Sequence, residues 1–238
     1  MTTKRAGAGE MLEREVSIDA GKVTLQGTLV VPKDARGIVL FAHGSGSSRH
    51  SPRNRYVAGV LQSHGMATLL FDLLTQKEEA VDQYTAELRF DIPFLAERLM
   101  EATRWVMRQP ETKASKVGYF GASTGAGAAL VAAARLGDVV AAVVSRGGRP
   151  DLAEDALDAV RAPTLLIVGG DDEPVIGMNQ SALAKLRCSE KKLVIVPGAT
   201  HLFEEPGTLE QVAQAAAEWF AGHFAPVARP EAAASTHR

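Results

Sequence analysis

The stretch VGYFGASTGAGAAL, residues 117–130, decides the fold of this 238-residue chain. It opens with an apolar run typical of a β-strand and ends in an alanine-rich segment of high helix propensity, so a strand has to turn sharply into a helix near Ser123. A serine in such a turn needs a strained backbone, and side chains at Gly121 and Gly125 would collide across the bend. The sequence therefore predicts a nucleophile elbow, which presents the hydroxyl of Ser123 beyond the end of the sheet.

The Gly-x-Ser-x-Gly string by itself is weak evidence, because chance would place it in about one sequence of this length in ten. The alternative interpretation is a glycine-rich turn that merely joins a strand to a helix. The weight of the motif therefore depends on whether suitable partner residues follow it in the chain.

Composition indicates a single domain, which we place at residues 11–225. Hydrophobic residues make up 46% of the chain, enough for the core of a large α/β domain. A formal net charge of -2 gives no reason to expect a nucleic-acid or membrane partner, and no apolar run is long enough to span a bilayer. With no secretory signal and one cysteine, Cys188, we expect a soluble, cytoplasmic protein without an intramolecular disulfide. Residues 1–10 and 226–238 lack periodicity, and we expect both to be disordered.

The order of elements predicts an α/β fold. Segments 15–19 and 23–31 alternate polar and apolar residues around a turn, which indicates an antiparallel hairpin with one solvated face. Strands and helices then alternate through short loops, typical of a mostly parallel sheet of about eight strands with helices on both faces. The further strands are expected over 37–42, 67–71, 139–144, 164–168 and 192–196, with one more ending at the elbow. Helices are expected over about 55–64, 86–108, 152–160, 178–186 and 209–224, with another from the elbow to Arg135. We place Cys188 in a predicted helix and interpret it as structural.

An acid and a histidine follow two of the later predicted strands. Ligands of such a sheet bind beyond the carboxyl ends of its strands. There the chain reads GGDDEPV over 169–175 and PGATHLF over 197–203, so serine, acid and histidine occur in the chain order of a hydrolase triad. A neutral imidazole at His201 would remove the proton of Ser123, and a carboxylate would fix its tautomer and stabilise its charged form. The other interpretation of His201 is a loop histidine that caps the last helix.

A flexible loop after the strand 37–42 predicts an oxyanion hole. The string HGSGSS begins at His43, and its backbone amides could bind the negative charge that develops on a carbonyl oxygen. We assign the donors as the amide of Thr124 and that of Ser45, with Gly46 as the alternative to Ser45. His43 itself is interpreted as structural, beneath the loop. Asp72, at the end of its strand, is expected to order the loop.

Together these motifs resemble the α/β hydrolase superfamily and, more narrowly, the dienelactone hydrolase-like family. Four segments carry the resemblance, which extends over about 13–224: HGSG from His43, GASTG around Ser123, the loop of Asp172 and THLFEEPG from Thr200. Dienelactone hydrolases proper have a cysteine at the elbow, where this chain has Ser123, so a dienelactone substrate is not implied. The resemblance implies hydrolysis of esters or related acyl compounds through a serine acyl-enzyme, with no cofactor and no metal.

Asp171 and Asp172 are alternatives for the acid. Adjacent side chains in an extended loop point in different directions, so only one of them is expected to face His201. The spacing Gly169-x-x-Asp172-x-x-Val175 resembles the acid loop of α/β hydrolases, which favours Asp172. Asp171 would then form a turn with its side chain in solvent.

The predicted site is open. Only residues 145–163 separate two successive strands, which leaves room for one short helix and no large cap domain. An open site favours small or exposed acyl groups, although the segment 75–94 could also fold over it. The expected partner is therefore a small-molecule ester; the sequence does not predict an oligomeric state.

Arginines near the predicted mouth are candidate contacts for an anionic group on the substrate. Arg49, Arg53 and Arg55 follow the predicted oxyanion loop, and Arg146 and Arg149 lie in the segment 145–149. A pair of guanidinium groups could clamp a carboxylate or a phosphate. The alternative is that these arginines are solvated and paired with the acidic stretches 77–79 and 151–158.

The leading hypothesis is a serine carboxylesterase acting on small esters, lactones included. Acyl transfer or perhydrolysis would use the same triad, with an alcohol or a peroxide in place of water. A non-catalytic binding protein that retains the fold is the third alternative.

Overall fold

One mixed sheet of eight strands runs through residues 11–224, the part of the chain that this computed structural model describes. Its spatial order is β1-β2-β4-β3-β5-β6-β7-β8. The strands are β1 Met11–Ala20, β2 Val23–Pro32, β3 Gly37–Ala42, β4 Ala67–Phe71, β5 Lys116–Ala122, β6 Val140–Arg146, β7 Thr164–Gly169 and β8 Lys191–Val196. The predicted α/β architecture is confirmed. The predictions of disorder for 1–10 and 226–238 lie outside the described residues.

The predicted N-terminal hairpin is confirmed and is longer than expected. β1 and β2 pair in antiparallel register from Met11 opposite Pro32 to Ala20 opposite Val23, and Gly21 forms the turn with a φ of 75°. Buried and exposed residues alternate along the second half of β1, so one face of the hairpin lies in solvent. β2 then pairs antiparallel with β4 and attaches the hairpin to the sheet.

Strands β3 to β8 all run parallel, so their carboxyl ends meet at one edge of the sheet. Each of these strand ends lies within a few residues of one that the sequence analysis names as a candidate site residue. The loops at this edge therefore hold the candidate site, as the position of ligands in open α/β sheets requires.

Helices cover both faces of the sheet. They are α1 Pro52–Ser63, α2 Gln76–Thr85, α3 Ile92–Val106, α4 Thr124–Leu136, α5 Glu173–Lys185 and α6 Thr208–Phe224, with 3-10 helices at Leu88–Phe90, Gly137–Val139 and Pro150–Ala159. α1 and α6 pack on one face through side chains such as Leu61 and Phe220, whereas α3, α4 and α5 pack on the other through Leu99, Leu130 and Ala182. Of the helices within 11–224, none combines the length and the apolar character needed to cross a lipid bilayer.

The long helix predicted over 86–108 is wrong in its first part. α2 ends at Thr85 and is capped by Ala86, which has a left-handed φ of 55°. α3 begins only after Asp91, whose side chain accepts a hydrogen bond from the amide of Phe94 at 3.0 Å. Helix α2 was missed, although Thr75 and Glu78 form a capping box that marks its start. The Thr-x-x-Glu spacing was the signal that could have found it.

Other boundaries shift by a few residues. α1 begins at Pro52 rather than 55, because the Ser51 side chain caps it. α5 begins at Glu173 rather than 178, and β6 covers Val140–Arg146 rather than 139–144. Cys188 lies beyond the end of α5, not in a helix, and its thiol donates to the carbonyl of Glu190 at 3.3 Å. It is buried, as a structural residue would be.

A buried ion pair holds the segment after β4 against the carboxyl edge. The fully buried carboxylate of Asp82 accepts hydrogen bonds from the amide of Leu88 at 2.6 Å and from Nε of Arg89 at 2.6 Å. The carbonyl of Arg89 in turn accepts a hydrogen bond from the hydroxyl of Ser45 at 3.3 Å. The segment 75–94 thus lies against the loop that follows β3.

We predict that Asp82→Ala loosens α2 and the 3-10 helix Leu88–Phe90. The substitution removes the charge-assisted hydrogen bonds that the Asp82 carboxylate accepts from the amide of Leu88 and from Nε of Arg89, each of which contributes about 1.5 to 3 kcal/mol. Hydrogen exchange of the amides in this segment should accelerate about a hundredfold or more. Glu101→Ala, which breaks the half-exposed pair with Arg104, is the control and should change exchange little. Unchanged exchange in Asp82→Ala would show that the ion pair does not hold the segment.

Candidate active site

Ser123 lies in the strained turn that its sequence predicts. Its backbone has φ 50° and ψ −124°, a left-handed conformation that residues with a side chain rarely adopt. A Cβ at Gly121 would lie 2.5 Å from Cα of Ala126, and one at Gly125 would lie 2.1 Å from the carbonyl oxygen of Ala42. Only glycine fits at either position, so the predicted sharp passage from β5 into α4 is confirmed.

The acid and the histidine meet at the same edge. Nδ1 of His201 lies 2.7 Å from Oδ2 of Asp172. Asp172 occupies the N-cap position of α5, yet its side chain makes no capping hydrogen bond, because the carboxylate is turned to His201 instead. Asp171 is exposed, and its amide donates to the carbonyl of Ala199 at 2.9 Å. Of the two alternatives, the structure pairs His201 with Asp172.

The loop that carries His201 is held by its own side chains. Thr200 donates its amide and its hydroxyl to the carboxylate of Glu205, at 3.1 and 2.6 Å. Phe203 has a left-handed φ of 56° and is buried, which anchors the loop to the core. His201 therefore has a fixed position at the end of β8.

Gly147 allows the loop that carries His201 to lie close to the end of β6, the strand beside the elbow strand β5. Its φ is 49°, and a Cβ there would lie 3.0 Å from the carbonyl oxygen of His201. The preceding residue, Arg146, accepts a hydrogen bond from the amide of Ser123 at 3.4 Å. Among the described residues no hydrogen bond joins Ser123 Oγ to His201, a contact that often tightens only when substrate binds.

The loop after β3 passes directly against Ser123. A Cβ at Gly44 would lie 3.0 Å from Cβ of Ser123 and 3.7 Å from its Oγ. The amide of Ser45, which the sequence assigned to the oxyanion hole, donates to Oγ1 of Thr124 at 3.0 Å. The Thr124 amide lies at the first turn of α4 and has no acceptor within the range 11–224. An oxyanion could therefore bind the Thr124 amide directly, but it would have to displace a hydroxyl to reach that of Ser45.

His43 has the structural position that the sequence predicts. Its Nδ1 donates to the carbonyl of Gly44 at 3.0 Å, and its Nε2 accepts a hydrogen bond from the amide of Leu73 at 3.1 Å. This pattern requires the neutral ring, since a protonated imidazole could not accept from an amide. Burial lowers the pKa of His43 below its ordinary value, with the hydrogen bond to Gly44 opposing the shift.

Three of the candidate anion-binding arginines form ion pairs with carboxylates: Arg49, Arg149 and Arg53. Arg49 forms a salt bridge with Asp72, and its amide donates to the same carboxylate at 2.8 Å, so Asp72 orders the loop as expected. Nη2 of Arg149 lies 2.7 Å from Asp151, within the acidic stretch predicted to pair with it. The charges of Arg49 and Arg149 are therefore already balanced by neighbouring carboxylates.

The remaining arginines differ in exposure and pairing. Arg55 is exposed on α1, and Arg53 pairs with Glu204 at 3.0 Å. Arg146 is buried, and among residues 11–224 its side chain makes one hydrogen bond, from Nη2 to Oδ1 of Asn54 at 3.3 Å. Of the predicted set, Arg146 is the one that is buried without a carboxylate partner within those residues.

As to metals, residues 11–224 contain no cluster of three or more histidine, cysteine, aspartate or glutamate side chains that could hold an ion.

We predict that the titration of His43 makes stability depend on pH. Because its folded-state pKa lies below the ordinary value of 6.5, the unfolded chain binds the proton more readily. The contribution of neutral His43 to the free energy of unfolding is complete above about pH 6.5. It is lost as the pH falls towards the folded-state pKa, by up to about 1.4 kcal/mol per pH unit. Urea unfolding between pH 5 and 8 measures it.

The matched variants for this test are His43→Gln and His64→Gln, the latter at an exposed histidine. The fall in unfolding free energy on acidification should be shallower in His43→Gln and unchanged in His64→Gln. Equal slopes in the wild type and in His43→Gln would contradict the assignment.

Comparisons with known proteins give the family. Residues 25–224 match the model of the dienelactone hydrolase family. A crystal structure of dienelactone hydrolase from Anabaena variabilis is 64% identical with a TM-score of 0.87, over 89% of this chain and 97% of that chain. Est1E from Butyrivibrio proteoclasticus, at 18% identity and a TM-score of 0.75 over 92% of this chain and 100% of that chain, shares the fold.

Two strains of Mycobacterium tuberculosis have a protein named "Putative phosphoribosyl transferase" that is 61% identical to this chain over 214 residues. The match covers 89% of this chain and 47% of each of those proteins, so the chain spans about half the length of the curated relatives it matches. The match of residues 25–224 and the 64% identity to a dienelactone hydrolase structure show that this chain belongs to the dienelactone hydrolase family, with its α/β-hydrolase fold.

Proposed function

We propose that this chain is a serine hydrolase that cleaves small carboxylic esters through a Ser123-His201-Asp172 triad. The single observation that carries the proposal is the 2.7 Å contact between Nδ1 of His201 and the carboxylate of Asp172, at the edge of the sheet where Ser123 lies in a strained turn. Membership of a hydrolase family supports the same reaction class.

The hydrogen bond to Asp172 assigns the tautomer of His201. With its proton on Nδ1 and donated to the carboxylate, His201 keeps a lone pair on Nε2, which can accept the proton of Ser123 Oγ. The serine oxygen then attacks the ester carbonyl, and the protonated imidazole returns the proton to the leaving alcohol. Water, activated by the same His201, hydrolyses the acyl-enzyme and regenerates Ser123. Asp172 stabilises the imidazolium throughout and remains ionised.

The oxyanion would be stabilised at the start of α4. The amide of Thr124 lies at the positive end of the helix dipole, where negative charge is favoured. The amide of Ser45 would supply the second hydrogen bond once the Thr124 hydroxyl has given way, because the oxyanion is a stronger acceptor than a hydroxyl. One such donor contributes about 2.7 to 4 kcal/mol to the transition state.

The space beside the proposed nucleophile is narrow. A cavity next to Ser45 and Thr124, lined in part by Leu73, Leu74 and Leu95, has a volume of only about 10 Å³, no more than one water molecule needs. The connection between β6 and β7 contains only the 3-10 helix Pro150–Ala159, so no cap of that connection covers the edge of the sheet. Both features support short acyl chains over long ones.

Acyl transfer and perhydrolysis would use the same three residues, and the acceptor is decided by which molecule reaches the acyl-enzyme. The transferase name of the mycobacterial relatives belongs to proteins about twice the length of the matched region. For the described residues, the contact between His201 and Asp172 favours acyl chemistry, so we keep ester hydrolysis as the proposal.

We predict that hydrolysis of short p-nitrophenyl esters depends on Ser123 and Asp172 and not on Asp171. Ser123→Ala and Asp172→Asn should each lower kcat by about 10⁴-fold or more, because a triad acts as a unit. Asp171→Asn is the matched control, since this neighbouring carboxylate is exposed, and its kcat should stay within about twofold of the wild type.

A fluorophosphonate probe provides an assay that needs no substrate. Stoichiometric labelling of the wild type, lost in Ser123→Ala, is the expected result. Equal losses of kcat in Asp171→Asn and Asp172→Asn, or the absence of labelling in folded protein, would count against the proposal and favour a non-catalytic role.

A further inference from the structure

We propose that Asn179 is a positioning residue of the candidate triad. Its side-chain amide joins α5, the helix whose N-cap is Asp172, to the loop 146–149, which holds the backbone of Ser123. The part of these contacts in catalysis rests on the proposed function, whereas the contacts themselves do not.

Asn179 lies in the second turn of α5 and is fully buried. Its Nδ2 donates to the carbonyl of Val175 in the same helix at 2.8 Å and to the carbonyl of Gly148 at 3.0 Å. Because both partners are acceptors, the NH2 group of the amide, and not its oxygen, has to face them. One side chain therefore connects the first turn of α5 to the middle of the loop 146–149.

The loop 146–149 in turn binds both backbone groups of Ser123. The carbonyl of Arg146 accepts from the Ser123 amide at 3.4 Å, and the amide of Arg149 donates to the Ser123 carbonyl at 3.0 Å. Between these two residues, a Cβ at Gly148 would lie 2.6 Å from a side chain of α4. The position of Gly148 therefore helps to set the position of the elbow.

The helix that carries Asn179 also fixes the acid. The carbonyl of Asp172 accepts from the amide of Val175 at 3.0 Å, in the same turn whose carbonyl Asn179 binds. The carboxylate of Asp172 lies 2.7 Å from Nδ1 of His201. A short chain of hydrogen bonds therefore leads from the carboxylate and the imidazole through Asn179 to Ser123.

Packing alone does not account for an asparagine at this position. Its Oδ1 is buried without a hydrogen-bond partner in the range 11–224, which is costly. A leucine would fill a similar volume without that cost, but it could not donate to Gly148. The amide instead fixes the distance between α5 and the loop 146–149, and a misplacement of about 1 Å at a reacting group can lower a rate about 100-fold.

The first test separates the two hydrogen bonds of Asn179. In Asn179→Ser the hydroxyl can still bond to the carbonyl of Val175 one turn back, but it is too short to reach Gly148 as well. We expect kcat for a short p-nitrophenyl ester to fall about 100-fold, with KM within about threefold of the wild type.

The control is Ala182→Gly, at a buried position of the same helix. It weakens α5 but removes no side-chain hydrogen bond, so kcat should stay within about twofold of the wild type. Asn179→Leu serves in the same way as Asn179→Ser if the serine variant does not fold. An unchanged kcat in the Asn179 variants, or an equal loss in Ala182→Gly, would overturn the proposal.

The second test shows whether Asn179 acts through the acid. In a protein that already carries Asp172→Asn, the further loss of kcat caused by Asn179→Ser should be within about threefold, because the carboxylate that Asn179 positions is gone. A merely structural effect would multiply with that of Asp172→Asn and would be about 100-fold in both backgrounds, which would contradict a positioning role.

The third measurement needs no turnover. Hydrogen exchange of the Arg149 amide, which is bonded to the carbonyl of Ser123, should accelerate about tenfold or more in Asn179→Ser and stay unchanged in Ala182→Gly. Unchanged exchange in Asn179→Ser would show that Asn179 does not hold the loop. If the wild type hydrolyses no ester, the proposed function is contradicted instead, and the exchange measurement still decides whether Asn179 fixes the loop.

Discussion

The close contact between the elbow and the end of β3 is the constraint on which the rest of the site depends. A Cβ at Gly125 would lie 2.1 Å from the carbonyl of Ala42 and 2.5 Å from that of His43, so the first turn of α4 touches the backbone of the neighbouring strand. Because no side chain separates them, Ser123 and the loop after β3 lie side by side. The strained φ of Ser123 is the cost of that arrangement, and the neighbouring pairing of β3 and β5 sustains it.

Buried polar groups then hold the surrounding loops. Neutral His43 links the loop after β3 to the amide of Leu73, and the Asp82 carboxylate fixes the segment that contacts Ser45. These groups take no part in the proposed chemistry. They keep amides and carbonyls paired in a region where irregular backbone is partly buried, which is what preorganisation of a site requires. Some buried polar atoms of the described residues have no hydrogen-bond partner, among them Ser145 Oγ, Asn179 Oδ1 and two guanidinium nitrogens of Arg146.

The sequence predicts the sheet well, and it predicts that the three triad candidates lie at one edge, because parallel strands end there and each candidate follows a strand end. It could not choose between Asp171 and Asp172 without a resemblance, since that choice depends on which side chain faces His201. The prediction of one helix over 86–108 missed the break near Asp91, because helical periodicity on both sides of Asp91 masked its role as the N-cap of α3. The hydrogen bond from Ser45 to Thr124 and the burial of Arg146 depend on tertiary packing, which no local pattern reports.

Mass spectrometry of protein quenched in acid during turnover of a short p-nitrophenyl ester tests most directly whether Ser123 is the nucleophile that forms an acyl-enzyme. If it is, one acyl group per chain is found on the peptide that contains Ser123, and it forms at the rate of the initial p-nitrophenol burst. Turnover without an adduct, or an adduct on any other residue, would contradict it.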